Sequence, residues 1–541
     1  MKAAARNSEI ENLLHAAQEA LKRADLAEAQ SRFQSILALE ARHAVANYWL
    51  GVLALKAGSP HEAIPRLEIA AAQHPEFADF RVDLGLAYQT GGQSEQAETC
   101  FRAVRQTWPD YGNDQLRLAE DFVRQRKLPE ALEACRRGLF VFPNAAALLL
   151  KLADLYWRLH RWPEALPVWQ RLLQSHPKQA PIQLAFGEAC YQAGDLERAR
   201  EAFQHALELE PDSLGGLLNL GLTCQKLGNH PRAFAAFQRA LAIKPNHAEI
   251  HKTLGDLYRD LGRWPEANAA WRNAVELRPD YADAWHNLGL GLERLNRLEE
   301  ALACHERVVQ LRPRQAASHR YQGMICQDLG RLEAARAAYL EALRLAPRDA
   351  EAHWQMFALM AAQGEFPQAW EEHEWRWLIK GRTTPQREFI KPAWDGGDLH
   401  GRSILVYSEQ GFGDTIQAVR YVPRLVERGA RVLVWCPPEL VSLLGTVPGA
   451  AEVFDKLSAA HLFDVQIPLM SLPLRFGTTL ATIPRDVPYL RVPEDQPLVL
   501  PADSNTRPRV GLVWCGSLSQ PNDRRPVSFE LLSPLLKMAD L

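Results

Sequence analysis

Small and apolar residues recur along the chain every 34 positions, from near its start to about residue 380. Proline stands at Pro75, Pro109, Pro143, Pro177, Pro211, Pro245, Pro279, Pro313 and Pro347. Alanine follows twenty-two residues later in each case, from Ala97 to Ala369, and Ala63 and Ala29 extend that series backwards. Ten residues after the prolines come Gly85, Gly187, Gly221, Gly255, Gly289 and Gly323, with Gly51 in the same register. Phe33, Phe101, Trp169, Phe203, Phe237, Trp271 and Tyr339 lie four residues after the alanine, one helical turn along the same face. This spacing predicts two antiparallel helices per 34 residues, with glycine on the first and alanine on the second where they cross. The aromatic rings fill the space between units. Proline stops the second helix, and Gly58, Gly92, Gly194, Gly228, Gly262, Gly330 and Gly364 mark the turn between the two. About eleven units are expected over residues 10–383. The first is degenerate, with Ala16 and Ala17 near the leucine-glycine position, as suits a terminal unit with one solvent-facing side.

After Gly381 the period stops. Residues 384–401 are rich in Pro, Gly and Thr and read as a linker. From residue 402 the pattern switches to short continuous apolar runs between helices, which predicts a parallel, Rossmann-like sheet. Ser403–Ser408 is the first strand, Glu409–Gly413 a glycine loop, and Asp414 the N-cap of a helix to about Arg428. Arg431–Cys436, Phe463–Pro468 and Val510–Trp514 are further strands, with a short helix over Glu439–Leu444. Just before the boundary, Trp370, Glu374 and Trp377 share one helical face, expected to dock the last repeat on the next domain.

Composition narrows the function. The 541 residues carry a net charge of −3, and residues 384–541 hold 16 basic against 17 acidic side chains, so neither part attracts nucleic acid or anionic lipid. The N-terminus reads as a helix rather than a signal peptide. There is no run of 18 apolar residues, so no membrane span is expected and cytoplasm is the expected compartment. The eight cysteines form no CxxC pair, and Cys190, Cys224 and Cys326 share one repeat position, as buried small hydrophobes do. No metal site and no cofactor is expected.

The 34-residue pattern resembles the tetratricopeptide repeat, a right-handed α-α superhelix whose inner face binds protein or peptide. Asn219, Asn287, Arg259 and Arg320 are the groove candidates, because polar side chains on such a face can hold an extended peptide backbone. They read equally as a solvated polar face. Arrays resembling O-linked N-acetylglucosamine transferases carry an asparagine ladder before the Leu-Gly pair. Here only Asn219 and Asn287 hold that place, while Asp83, Arg117, Lys151, Ala185, Thr253 and Tyr321 take the others.

Residues 389–541 resemble a second family. The stretches PAWDGGDLHGRSILVYSEQGFGDTIQAVRYVPRL, PLMSLPLRFGTTLATIPRDVPYL and RVGLVWCGSLSQPNDRRPVSF occur in order. They are similar to bacterial tetratricopeptide-repeat proteins with a C-terminal heptosyltransferase-like domain of the GT-B glycosyltransferase fold. The resemblance implies an acceptor lobe over 402–500 and the beginning of a donor lobe over 509–541. It implies that Asp414 acts as general base on the acceptor hydroxyl, beside its alternative as a helix cap. Glu409, Gln410, Gly411, Gly413 and Arg420 would surround the acceptor. Arg524 and Arg525 would bind the donor diphosphate or lie on a surface loop. Most of a donor lobe does not follow Arg509, so residues 1–541 alone are expected to transfer no sugar; a nucleotide-sugar partner requires a complete second lobe. Two functions remain open from the sequence: a repeat scaffold fused to a sugar transferase, or an interaction scaffold without chemistry.

Overall fold

The computed structural model describes residues 2–379 and 389–491, and the chain divides into two compact units between Gly330 and Arg331. In the first unit, nineteen helices run from Lys2–Lys22 to Ala316–Asp328. The first helices of successive pairs begin at Ala44, Ala78, Tyr111, Ala146, Ala180, Leu214, Ala248 and Ala282, and each packs against the helix that follows it; Ala316 begins the last helix of this unit.

The turn inside a pair shows why the repeat has its punctuation. Gly228 takes φ +72°, donating its N–H to Gln225 O at 3.0 Å, while Asn229 N–H reaches Cys224 O at 2.8 Å. Those two bonds close helix Leu214–Lys226. Asn229 Oδ1 then accepts from Arg232 N at 3.3 Å and opens helix His230–Ile243. The same left-handed turn recurs 34 residues apart, but four positions hold no glycine: Ala24, Arg126, His160 and Asn296 have φ between +54° and +60°. At each, a β-carbon crowds the backbone, at a cost of about 1–2 kcal/mol.

Packing within pairs refines the assignment of small residues. Ala29, Ala63, Ala97, Ala131, Ala165, Ala199, Ala233, Ala267 and Ala301 are all buried. The glycines are there chiefly for the aromatic ring of their own pair. A β-carbon on Gly187 would stand 2.6 Å from Phe203 Cε1, and one on Gly255 2.5 Å from Trp271 Cδ1. Phe203, Phe237 and Trp271 therefore seat in notches on the first helix before they meet the next pair. Each such burial is worth about 1.5–3 kcal/mol. At the equivalent position of the next pair, Gly289 faces not an aromatic hydrocarbon but His305.

The second unit begins with helices Leu332–Leu345, Ala350–Gln363 and Phe366–His373, followed by a 3₁₀ turn over Glu374–Leu378. Beyond it lies a four-stranded parallel sheet: β1 (Ser403–Tyr407), β2 (Arg431–Trp435), β3 (Ala450–Phe454) and β4 (Val465–Pro468), in the order β3-β2-β1-β4. Three features differ from expectation. The helix after β1 starts at Phe412, so Asp414 sits in its first turn rather than at the cap. It gives way at Val419–Tyr421 to a 3₁₀ turn before Val422–Glu427, because Pro423 can donate no backbone hydrogen bond. The segment read as linker contributes to the core: Trp394 and Leu399 are fully buried, and Trp394 N–H donates to Gln466 O at 2.8 Å. The strand at Val510–Trp514, residues 509–541, and Arg524 and Arg525 lie outside the described residues. Among the described residues no helix is long and apolar enough to cross a membrane.

Candidate functional site

Two places bring functional groups together. The first is the face made by the leading helices of the pairs. Trp157, Tyr191, Gln225, Arg259 and Glu293 are 34 residues apart and hold one equivalent position, exposed or half-buried; Trp157 meets the Trp162 ring edge-on at 4.5 Å, and Tyr191 packs at the rim of the Phe203 cluster. The two asparagines of the sequence reading are tied between pairs. Asn219 Nδ2 donates to Glu188 Oε1 at 3.0 Å, and Asn287 Nδ2 to Asp256 Oδ1 at 2.8 Å; each bridges 31 residues back to the same place on the preceding leading helix. Arg259 donates to Asp260 Oδ1 at 2.9 and 3.1 Å, and the Arg320 guanidinium lies 5.0 Å from the Tyr321 ring centroid. Between helices Ala146–Arg158, Ala180–Ala193 and Leu214–Lys226 the face opens into a pocket of about 330 Å³. Trp157, Glu188, Tyr191, Gln192, Phe203, Asn219 and Leu222 line it. Of these, only Asn219 was legible as a candidate. The signal for the rest was the 34-residue spacing of Trp157 and Tyr191.

The second place is the carboxyl end of β1. Because β2 and β4 flank β1 on opposite sides, connections leave that end in both directions and open a crevice where ligands bind in α/β sheets. Glu409, in the loop after β1, is buried there against Arg376 from the 3₁₀ turn of the last repeat. Arg376 Nη2 donates to Glu409 Oε1 at 2.9 Å and to Ser471 Oγ at 2.7 Å; its Nη1 reaches Glu374 Oε1 at 2.7 Å. Burial pushes the Glu409 carboxyl up to about 7, with the Arg376 guanidinium pulling the other way. Trp370 Nε1 adds a bond to Thr478 O at 3.0 Å, so the last repeat docks through Trp370 and Arg376.

The remaining loop groups are closer to solvent. Asp414 Oδ2 accepts from Gly411 N at 3.2 Å, reaching back from the first turn of its helix; Gly413 is exposed. Gln410 Nε2 has no hydrogen-bond partner among the described residues, and the Arg420 guanidinium lies 4.7 Å from the Tyr489 ring centroid. Ser408 and Thr415 hydroxyls share a 2.6 Å bond that ties the strand end to the helix. The described residues contain no cluster of three or more His, Cys, Asp or Glu able to hold a metal ion.

Stacked antiparallel helix pairs with glycine–aromatic notches and buried alanines at the 34-residue spacing define a helical-repeat scaffold, here followed by a small parallel α/β sheet. Family models agree on the repeat. Those described as tetratricopeptide repeat match residues 14–65, 54–118, 116–180, 150–213, 184–248 and 288–350, and one described as TPR repeat matches 255–296. The chain is a tetratricopeptide-repeat protein across residues 14–350. Protein FlbA of Caulobacter vibrioides is 29% identical over 69 residues, 13% of this chain; the match spans about an eighth of that relative's length, 12%. Among solved structures, a tetratricopeptide repeat protein from Parabacteroides merdae is 18% identical, covering 46% of this chain and 99% of its own, with a TM-score of 0.39. Pseudomonas aeruginosa PilF is 19% identical, covering 38% and 93%, with a TM-score of 0.34.

Proposed function

We propose that the repeats bind an extended segment of a partner protein along the leading-helix face. The observation that carries this is the row of Trp157, Tyr191, Gln225 and Arg259, which recurs at the repeat spacing along the leading helices and opens at Trp157 and Tyr191 into the 330 Å³ pocket. A peptide with a residue rise of about 3.3 Å can meet successive members of such a row. The test is selection of displayed peptides on the full chain. Trp157→Ala with Arg259→Ala should abolish binding of the selected peptides while the chain stays folded by circular dichroism; retained binding removes this face from the function.

A second reading concerns the α/β sheet, and the position of the Asp414 carboxylate in the first turn after β1 favours it. We propose that this sheet is the acceptor lobe of a heptosyltransferase-like enzyme of the GT-B fold. Asp414 takes the proton of the acceptor hydroxyl as its oxygen attacks the anomeric carbon and the nucleotide diphosphate leaves. With Glu409 held by Arg376, the groups for the acceptor are Gln410, the Gly411 and Gly413 turn, and Arg420. Arg524 and Arg525 remain the candidates for the donor diphosphate. The test uses the chain joined to a complete second lobe, so that turnover can be measured. Asp414→Asn should lower kcat by on the order of 10²–10⁴ with stability unchanged. Full turnover in that variant removes Asp414, and no nucleotide-sugar turnover in the parent favours a scaffold without chemistry.

A further inference from the structure

Within the repeat row, one repeat position carries an acid in two different settings. Glu188 and Asp256 are two units apart, and each accepts a bond from the asparagine of the next pair. Asp256 is neutralised by its own helix: Lys252 Nζ lies 2.7 Å from Oδ2, and Arg259 Nη1 4.0 Å from Oδ1. Sixty-eight residues earlier, the places of Lys252 and Arg259 hold Leu184 and Tyr191. Glu188 therefore has Asn219 and no cationic partner among the described residues. It lies not on open surface but in the 330 Å³ pocket, half-buried.

We propose that this pocket receives a lysine or arginine side chain of an extended partner peptide, which does at Glu188 what Lys252 does at Asp256. The inference rests on the reading of the leading-helix face as a peptide-binding surface, and it names the chemistry that face selects. The walls suit the cation as well as the floor. Trp157 and Tyr191 offer aromatic faces, which attract an ammonium or guanidinium within about 6 Å of the ring centroid. The Tyr191 ring already holds one: Lys226 Nζ stands 4.1 Å from its centroid. Phe203 and Leu222 supply apolar surface for the methylene stem of the guest. An acidic or purely apolar guest would leave the Glu188 carboxylate desolvated with no counter-charge beyond the Asn219 hydrogen bond, a penalty that selects against it.

The experiment is a selection of random displayed dodecapeptides on the full chain, followed by affinity measurements with synthetic copies of the winners. The selected peptides should share a Lys or Arg, and replacing that residue by norleucine or citrulline should weaken binding about tenfold or more. Glu188→Gln keeps an acceptor for Asn219 and should weaken the parent peptide by a similar factor. It should do nothing further to the norleucine or citrulline peptide, because the two changes remove one interaction. Lys226→Gln removes a competing positive charge and should strengthen binding, a direction that damage to the fold would not produce. Peptides that bind with no shared cation, or bind indifferently to Glu188→Gln, overturn the inference and leave the peptide-binding reading standing. Failure of any peptide to bind overturns both.

Discussion

Arg376 and Glu409 face each other across a dry contact, 2.9 Å apart, each side chain 2% exposed. One belongs to the last helical repeat and the other to the loop that follows the first strand of the sheet. Removing one partner of such a pair leaves a buried charge alone and costs about 3–5 kcal/mol, whereas replacing both by apolar groups is often neutral. Arg376→Met should therefore destabilise the second unit by that amount in urea denaturation, and Arg376→Met with Glu409→Leu should recover most of the loss. If the single and double variants unfold alike, the pair does not join the two elements.

The same pair sets a pH response. The folded Glu409 carboxyl titrates near 7, above its ordinary value of 4.5, so the folded state holds a proton that the unfolded chain releases between those values. Its contribution to stability is thus fully present below about pH 4.5 and is lost as pH rises through 7. Unfolding free energy measured from pH 5 to 8 should fall more steeply in the parent than in Glu409→Gln. Parallel curves would show that burial does not govern this carboxyl.

His305 responds in the opposite sense. It is fully buried, neither ring nitrogen finds a hydrogen-bond partner among the described residues, and its ring stacks on Tyr321 at 5.7 Å. Burial, helped by His286, holds its pKa down to about 3 against an ordinary 6.5. The unfolded chain takes up a proton that the folded one refuses, so stability is complete above pH 6.5 and is lost as pH falls below it. Phe203 and Phe237 fill the same place in other pairs. His305→Phe should therefore raise the melting temperature, and the gain should widen from pH 7 to pH 5. A constant gain at both values would mean that the histidine is not held neutral.

The left-handed turns offer a test that touches no contact. Ala24→Gly and Arg126→Gly should each stabilise by about 0.5–1 kcal/mol, since glycine accepts φ near +60° without strain while gaining some freedom when unfolded. Gly228→Ala should lose a similar amount. Equal melting temperatures across the three variants would refute the strain.

Ala233 packs with no exposed surface, so Ala233→Leu should overfill the crossing and cost about 1–3 kcal/mol by thermal or urea unfolding. Silence there would place the alanine outside the core.

The repeats were readable because close approach demands small residues at fixed intervals, and Gly, Ala and Pro cannot hide in a sequence. What stayed hidden had a different chemical cause in each case. Arg126, His160 and Asn296 adopt the turn without glycine, so no composition signal marks them. His305 replaces an aromatic ring by a polar one and drops out of an apolar pattern. Strand β3 is an edge strand with Glu452 exposed and lacks a continuous apolar run. Arg376 lies in a tryptophan-rich stretch that reads as plain packing, and its partner is 33 residues away. Asn219 and Asn287 look like free groove amides until the acids 31 residues earlier are placed beside them.

The notch that seats each aromatic ring against its own glycine has a consequence for how such a molecule changes over generations. Because Phe203 on Gly187 and Trp271 on Gly255 hold their pairs together from within, residues on the leading-helix row touch only the rim of that packing. Exchanging Tyr191 for Arg, or Arg259 for Tyr, rewrites one letter of the address while the page stays intact. A lineage can therefore alter what it binds one pair at a time, without first losing the ability to fold.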